Sequence, residues 1–424
     1  MTRNPTLQSA RESILSAAYD ADRMRSALYP YLLWGGDVSR QKLSETAIIP
    51  FGAANAPNAT PGGGGIPIPG GIPGIPVYFT QTETELNLTY DFDVWGKNRN
   101  TLRAALGEMQ AKIADEAFTR LKLGIAVAQV YYNLQIDYQR QQIAKDLVRN
   151  RTDYADMIHQ LIEYNLENKQ AGIAALSDLN DATLALLQIQ GDIEINEHQL
   201  KAYLAGSFDD SIAPVNVTGK PLPKIPVPCD LPLHLIARRP DIISQLWLIE
   251  SAGKQIEVAK AGFYPDFNIS AFLGFQTIHL HELFFKKSSF FNVDPAFTLP
   301  IFDGGRLIAN LRSGEVNYDL AILKYNDLVL NATKEVLDGL STLRNRDQML
   351  RVIRTTVGQQ EELYLLSNLR VQHNLNSGIE DLVREHSLLQ IRDQEVAALG
   401  NTLQAILALI KALGGGFDVC YEEG

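Results

Sequence analysis

The sequence predicts a mainly α-helical protein with a small β part, organised as two internal repeats. Three observations support this fold class. Short motifs recur in the same order in the two halves of the chain, four stretches alternate apolar and polar residues, and two long regions, 98–165 and 305–375, contain no proline. The chain has 424 residues, which is enough for two or three ordinary domains.

The repeated motifs indicate a duplication. The matching positions are Arg99 with Arg306, Gly107 with Gly314, Asn165 with Asn368, and Asp178 with Asp381. The first two pairs are 207 residues apart (306 minus 99) and the last two are 203 apart (368 minus 165). A shared order at a nearly constant offset is the signature of an internal repeat. We predict a first repeat over 1–206, an equatorial linker over 207–234, a second repeat over 235–413 and a short tail over 414–424.

Alternation of apolar and polar side chains predicts four β-strands. The clearest strand covers 82–95, where Leu86, Leu88 and Tyr90 alternate with polar residues. Because successive side chains of a strand point to opposite faces, one face is apolar and the other carries carboxylates. These carboxylates are Glu83, Glu85, Asp91 and Asp93. The other strands are predicted at about 31–41, 267–276 and 291–302.

The apolar faces of these strands must be covered either by a protein core or by lipid. An ordinary antiparallel sheet packs one face on a core and leaves the other in water. Here the long helices are expected to pack on each other, so we favour lipid as the cover of the sheet. Four strands cannot close into a barrel, and an open strand edge is not tolerated in hydrocarbon. We therefore predict a membrane barrel that is shared between several chains.

The two proline-free regions predict very long helices. In the first region, Leu102, Leu106 and Met109 recur at steps of three or four, as a packing face requires. At 1.5 Å per residue such a helix reaches roughly 100 Å, which indicates a coiled-coil-like tube rather than a compact globule. Each region is expected to fold back on itself, with hairpin tips near 170–177 and 374–377. Ser177 and Ser377 are the expected N-caps of the returning helices.

Acidic residues follow both predicted tips, and two interpretations of them stay open. Asp178, Asp181, Glu380 and Asp381 lie close to the predicted N-caps. Carboxylates there stabilise the positive end of a helix, which is a purely structural role. If several chains meet at the tips, the same carboxylates instead surround an axis, where they bind cations or hold a gate shut.

Composition and motifs exclude several classes of protein. The net charge of −11 argues against nucleic acid as a partner and against docking on anionic lipid, because both reward basic surfaces. No stretch approaches the ~18 apolar residues that a membrane-spanning helix needs. The sequence contains no GxxxxGK[ST], HExxH or GxSxG motif, so we expect no enzyme activity and no cofactor. His279, His281 and Glu282 lack a further metal ligand nearby, and a solvated loop is favoured there.

Four motifs resemble one family. They are YDFDVWGKNR (90–99), ARRPDI (237–242), AKAGFYPDFNIS (259–270) and FTLPIFDGGRL (297–307). In this order they are similar to the TolC-like outer membrane factors, specifically the lipoprotein branch that serves tripartite efflux pumps. The resemblance covers nearly the whole chain.

The resemblance implies an assembly and a function. Three chains with four strands each make a twelve-stranded transmembrane β-barrel in outer-membrane lipid, and the helical hairpins form a trimeric α-barrel in the periplasm. The homotrimer works with an inner-membrane transporter and with a periplasmic adaptor that docks at the hairpin tips. The channel is a passive conduit for small molecules such as drugs and detergents. The alternatives are a type I protein-secretion duct, a metal-efflux duct or a coiled-coil structural protein without a pore.

Three further expectations come from the same resemblance. Members of this branch begin with a secretion signal and a lipidated cysteine ahead of the Asn4-Pro5 step, and the first residues here, MTRNPTLQSARES, contain no such stretch, so we expect an N-terminally shortened chain. The family often carries an aspartate inside the second tip helix, where this chain has Arg384 and Ser387. The linker and the tail would lie in one belt around the tube, and we therefore hypothesise a disulfide between Cys229 and Cys420.

Overall fold

The computed structural model describes residues 4–42, 78–205, 238–373, 375 and 377–415. Most of the first inter-strand loop, the predicted linker and nearly all of the tail lie outside this part of the chain. Cys229 and Cys420 are also outside it, so the disulfide hypothesis stays a prediction.

The order of elements confirms the two-repeat architecture. The elements are α1 (Pro5–Ser26), β1 (Tyr31–Lys42), β2 (Tyr78–Phe92), α2 (Lys97–Glu163), α3 (Lys169–Leu204), α4 (Pro240–Ala261), β3 (Asp266–Thr277), β4 (Ser289–Thr298), α5 (Arg306–Gln372) and α6 (Gly378–Ala412). Each repeat thus contains a helix, two strands, a helix of 67 residues and a returning helix of 36 or 35 residues. Over the described residues the fold is mainly α with four strands, as the sequence predicted.

The chain divides into two compact units, and the division crosses both repeats. The helical unit comprises Met1–Ala18, Leu106–Ser251 and Tyr318–Gly424. The strand unit comprises Tyr19–Ala105 and Ala252–Asn317. The predicted repeats describe duplication, whereas each compact unit combines elements from both repeats. The pairing of β2 with β3 is the clearest example.

The strand unit contains one antiparallel sheet in the order β1-β2-β3-β4. The register places Trp34 opposite Leu86, Leu86 opposite Leu273, and Leu273 opposite Phe291, so one row of apolar side chains crosses all four strands. Gly274 permits the close approach of β2 and β3, because a Cβ at this position would lie 2.3 Å from the carbonyl oxygen of Thr84.

Two strand ends differ from the prediction. The strand predicted over 82–95 ends at Phe92, and Asp93 lies beyond it. Asp93 accepts hydrogen bonds from the backbone N–H groups of Asn98 and Arg99, both at 2.9 Å. It therefore stabilises the start of α2 and is not a strand carboxylate, because a helix N-terminus attracts a carboxylate. The strand predicted over 291–302 ends at Thr298, and Asp303 accepts from the Leu307 N–H at 2.9 Å near the start of α5.

The first hairpin tip also differs from the prediction. Helix α2 ends at Glu163, the chain turns through Asn165 in the left-handed conformation (φ 56°), and α3 begins at Lys169. The N-cap is Asn168, whose side chain accepts from the Ala171 N–H at 2.9 Å. Ser177 is therefore not a cap but lies inside α3. In the second hairpin Ser377 is the N-cap as predicted, although its side chain forms no capping hydrogen bond.

The core of the helical unit centres on α6. Buried residues of this helix, among them Val396, Leu399 and Leu403, pack with Ile136 of α2 and Leu350 of α5. Contrary to the sequence-based expectation, α6 is long and apolar enough to cross a membrane by length and composition alone. However, 56% of its most apolar window is buried inside the structure, which is typical of a core helix.

Candidate functional site

One face of the sheet is apolar and exposed. Its register-matched positions include Leu32, Trp34, Val38, Leu86, Leu88, Phe92, Leu273, Phe291, Val293 and Phe297. Phe291 is 79% exposed, Trp34 78% and Phe297 72%. A contiguous apolar surface of this kind needs a partner or a membrane. The strands contain 10 to 15 residues, which is enough for tilted strands to span a bilayer, since about 9–11 suffice.

The opposite face carries the carboxylates. Glu83, Glu85 and Asp91 occupy this face, as predicted from alternation. The register adds Asp37 of β1, which lies directly opposite Glu83, and Asp294 of β4. Neither was among the lumen carboxylates predicted from the sequence, although the alternation in β1 and β4 assigns both to the same face. Glu83 accepts hydrogen bonds from Gln81 at 3.2 Å and from Gln276 at 3.4 Å.

Both edges of the sheet lack a second neighbour. Strands β1 and β4 are the outer members of the four-stranded order, and among the described residues each pairs with one strand only. The outward N–H and C=O groups of an edge strand are a template for pairing with another chain. The part of the chain that the structure describes therefore leaves both edges of the sheet open.

Aromatic residues flank the sheet at both ends. Where the strands meet the helices, Trp95 stacks on Tyr264 with ring centroids 4.6 Å apart and donates to the Pro265 carbonyl at 2.8 Å. At the other end, Phe284 packs edge-on against Phe275 at 5.7 Å. Girdles of aromatic residues at two levels are typical of membrane barrels, and at the first level Trp95 and Tyr264 are also amphipathic.

The loop between β3 and β4 contains the histidines that were considered as metal ligands. Glu282 forms a salt bridge with Lys287 at 2.8 Å and lies 3.8 Å from His281. In the described part of the chain no group of three or more His, Cys, Asp or Glu side chains is arranged to hold a metal ion. The loop thus uses its carboxylate for an ion pair with lysine.

Near the hairpin tips, a polar network joins three helices of the helical unit. Asn150 of α2 donates to the Leu382 carbonyl at 3.0 Å and to the Glu385 carboxylate at 2.8 Å on α6. The Arg151 guanidinium donates to the Asn150 side chain at 2.7 Å and lies 3.8 Å from Asp178 of α3. Burial lowers the pKa of Arg151. Asp178 is therefore an ion-pair partner within the chain.

The remaining tip candidates take different partners. Asp381 accepts from Asn368 of α5 at 3.4 Å through one oxygen, and its other oxygen is buried without a partner among the described residues. Burial, and then the charges of Glu385 and Asp381, raise the pKa of Tyr364. Glu380 lies 3.7 Å from Arg384, and the Ser387 hydroxyl donates to the Val383 carbonyl of its own helix. Asp181 is exposed.

The structure therefore does not gather the six tip candidates into one cluster. It places Asp178 with Arg151 and Asp381 with Asn368, in contacts with different helices. Asn150, Arg151 and His386 were missed, because contacts such as Asn150 with Leu382 join residues that lie 232 positions apart. The only available signal was the presence of polar residues within an apolar helical stripe.

A second buried arginine stabilises the end of α6. Arg239 is 4% exposed and forms a two-bond ion pair with Asp241 at 2.9 and 3.1 Å. Its guanidinium also donates to Glu335 of α5 and to the Ala412 carbonyl, both at 2.9 Å. A cation at the carboxyl end of a helix is favourable because it opposes the helix dipole. The ARRPDI motif thus starts α4 at Pro240 and fastens α6.

Comparison with known proteins places the chain in a family. The model of the family described as "Outer membrane efflux protein" matches residues 1–206 and 231–415. The chain belongs to the outer membrane efflux protein family. This is a family of channel proteins, and the chain is an outer-membrane efflux channel component.

Two curated relatives and one solved structure show the extent of the likeness. The chain is 33% identical over 354 residues to the multidrug resistance outer membrane protein MdtP of Escherichia coli K12, covering 80% of this chain and 70% of MdtP. It is 28% identical over 420 residues to the putative multidrug resistance outer membrane protein MdtQ of the same strain, covering 97% and 83%. The crystal structure of the outer membrane protein VceC from Vibrio cholerae superposes with a TM-score of 0.80 at 27% identity, covering 98% of this chain and 94% of VceC.

Proposed function

We propose that three copies of this chain form one outer-membrane channel that exports small molecules such as drugs and detergents. The channel works with an inner-membrane transporter and a periplasmic adaptor protein, and it carries out no chemical step. The observation that supports this most directly is the sheet, with its exposed apolar face, its carboxylate face and two edge strands that have no second neighbour among the described residues. The relatives named for multidrug resistance support the class of cargo.

The sheet supports an assembly of several copies by its geometry. An open edge leaves backbone groups unpaired, and each unpaired group costs several kcal/mol in hydrocarbon. Pairing β1 of one copy with β4 of the next removes both edges. Three copies of a four-stranded sheet give twelve strands, so the apolar faces meet lipid and the carboxylates line the lumen.

The helices support self-association independently. Along α5, Val316, Leu323, Leu330 and Leu337 recur at seven-residue spacing and are 53–70% exposed. Along α3, Ile173, Leu184 and Ile195 recur at eleven-residue spacing and are 64–70% exposed. Sustained apolar repeats of seven and eleven residues are the patterns by which helices pack side by side. Further copies of the same chain would cover both seams.

The hairpin tips form the periplasmic end in this proposal. Asp178, Asp181, Glu380, Asp381, Arg384 and Ser387 stay candidates for contacts with the adaptor or for the closed aperture. Of these, Asp178 forms an ion pair with Arg151, and Asp381 has one buried oxygen without a partner among the described residues.

Planar-bilayer recording tests the channel directly. A lumen lined by carboxylates selects cations, so the assembled protein should conduct with cation preference. Replacing the three strand carboxylates together (Glu83→Gln, Glu85→Gln and Asp91→Asn) should reduce that preference. Asp93→Asn is the matched control, because Asp93 binds the start of α2 instead of lining the sheet, and it should leave selectivity unchanged. Anion preference of the unmodified channel would refute the assignment of the faces.

Drug accumulation tests the physiological role. In cells that lack their own efflux channels, co-expression with a matching transporter and adaptor should lower the accumulation of a fluorescent drug. The protein could conduct in bilayers and yet leave drug accumulation unchanged when it is expressed with the transporter and adaptor from its own genome. That result would contradict the proposed cargo but not the proposed pore.

A further inference from the structure

His386 occupies an unusual position near the second hairpin tip. It lies on α6, and its Nδ1 atom is buried without a hydrogen-bond partner among the described residues. Two charged groups act on it from neighbouring helices, namely Arg151 of α2 and Asp178 of α3. The α5 groups beside this part of α6, Tyr364 and Asn368, interact with Asp381 and Glu385. The imidazole is thus partly buried, with its Nδ1 side away from water, and it experiences the positive charge of Arg151.

The neighbouring Arg151 guanidinium cannot give up its own charge when the imidazole becomes positively charged. An arginine stays protonated at any physiological pH, and the Arg151 side chain is only 6% exposed. It is fixed by the Asn150 side-chain oxygen at 2.7 Å, and Asp178, at 3.8 Å, is 55% exposed and so compensates it weakly. Burial, followed by the charge of Arg151, lowers the pKa of His386, while Asp178 opposes the shift.

Protonation therefore conflicts with the packing of α6 on α2. A protonated imidazole carries N–H groups on both ring nitrogens, and the buried Nδ1–H would have no acceptor. If the start of α6 separates from α2, the imidazole reaches water, where it binds a proton with its ordinary affinity. Because the packed state has the lower pKa, packing is favoured at neutral pH and loses stability as the pH falls through the ordinary range of histidine.

We propose that His386 is a proton-sensitive switch, whose protonation releases the first turns of α6 from Asn150 and Arg151 of α2 and opens this hairpin tip in acid. The contacts that break are those from Asn150 to the Leu382 carbonyl and to Glu385. The step adds one proton from solvent to the imidazole and breaks no covalent bond. This switch goes beyond the proposed conduit and does not depend on ion conduction.

Hydrogen-exchange mass spectrometry of the assembled protein tests the switch. Amides of the first three turns of α6 should open about fivefold more at about pH 5.5 than at about pH 7.5, after division by intrinsic exchange rates. His386→Gln, which stays neutral, should abolish this increase. His159→Gln is the matched control, because His159 is also near a tip but is 73% exposed and faces Glu163 at 3.6 Å, and it should keep the increase.

A second variant keeps the test decisive if His386→Gln perturbs packing. Asp178→Asn removes the one opposing negative charge, so acid-induced opening should become larger than in the unmodified protein. Equal opening at both pH values in the unmodified protein would overturn the proposal. So would an acid-induced increase that persists in His386→Gln.

Discussion

The strand unit and the helical unit cover their apolar side chains in different ways. In the helical unit Leu399 is 1% exposed and Leu409 is fully buried, so the chain supplies its own cover. In the strand unit Phe291 is 79% exposed and Trp34 is 78% exposed. The helical hairpins thus contain much of their packing within one chain, whereas the apolar face of the sheet needs an outside partner or lipid.

Charged side chains between the helices and on the polar face of the sheet differ in a similar way. The helical unit pairs its charges internally, as when Arg140 of α2 binds Asp393 of α6 through two hydrogen bonds at 2.9 and 3.1 Å. The hydrogen bond and the charge of Asp393 raise the pKa of Arg140 against the effect of burial. The strand carboxylate Glu83 instead accepts only from glutamine side chains among the described residues. Internal ion pairs stabilise a fold, and unpaired carboxylates leave their charge available to a lumen.

The largest expected effect comes from breaking an internal ion pair. Arg239→Ala leaves Asp241 and the Ala412 carbonyl without their buried partner, which should cost about 3–5 kcal/mol of unfolding free energy. Thermal unfolding in detergent, followed by circular dichroism, measures the loss. Lys334→Ala on α5 is the control, since its side chain is 76% exposed and it should change stability by less than about 0.5 kcal/mol. Equal effects of the two variants would show that the Arg239 network does not stabilise the unit.

The next effect distinguishes the two faces of the sheet. Phe291→Arg places a charge on the apolar face and should cost about 2–4 kcal/mol if that face meets lipid near the middle of the bilayer. Asn292→Arg, one residue along the same strand, changes the polar face and should be tolerated. The readout is the fraction of protein recovered as assembled oligomer in the outer membrane. Reduced recovery of both variants, or of neither, would contradict the assignment of the apolar face to lipid.

A smaller effect compares the two hairpin tips. Asn168→Ala removes a side-chain cap and should destabilise the start of α3 by about 1 kcal/mol. Ser377→Ala should have a smaller effect on α6, because that serine forms no capping hydrogen bond. Hydrogen exchange of the first helical turn after each cap measures both. A larger effect of Ser377→Ala than of Asn168→Ala would show that side-chain capping does not account for the stability of the two tips.

The sequence predicted what depends on local periodicity. The alternation in β2 identified both faces of the sheet, because a period of two that is sustained over many residues indicates a β-strand. The same pattern extended the predicted strand beyond its observed end and so included Asp93. A carboxylate that follows a strand continues the alternation, although here it caps a helix. Ser177 and Asn168 are both good caps by type, and only the turn at Asn165 decides between them.

Tertiary contacts between distant residues could not be predicted in this way. Arg239 contacts the carbonyl of Ala412, which lies 173 residues away, and Asn150 contacts Leu382 at a separation of 232 residues. No local pattern marks such pairs, because they depend on the registers of three or four packed helices. The tip network and its histidine therefore became visible only in the folded chain.

Disulfide trapping between edge strands tests whether other copies of the chain complete the sheet. Within one chain β1 and β4 are separated by two strands, about 14 Å, whereas a disulfide needs Cα atoms within about 7 Å. With Cys229 and Cys420 replaced by serine, Val38→Cys on β1 is combined in turn with Phe291→Cys, Val293→Cys or Phe297→Cys on β4. Leu86→Cys with Leu273→Cys, which face each other in the register, is the control for bonding within a chain. We expect covalently linked species of up to three chains for at least one β1–β4 pair in membranes. Monomers for every β1–β4 pair, when the control pair closes its disulfide, would contradict it.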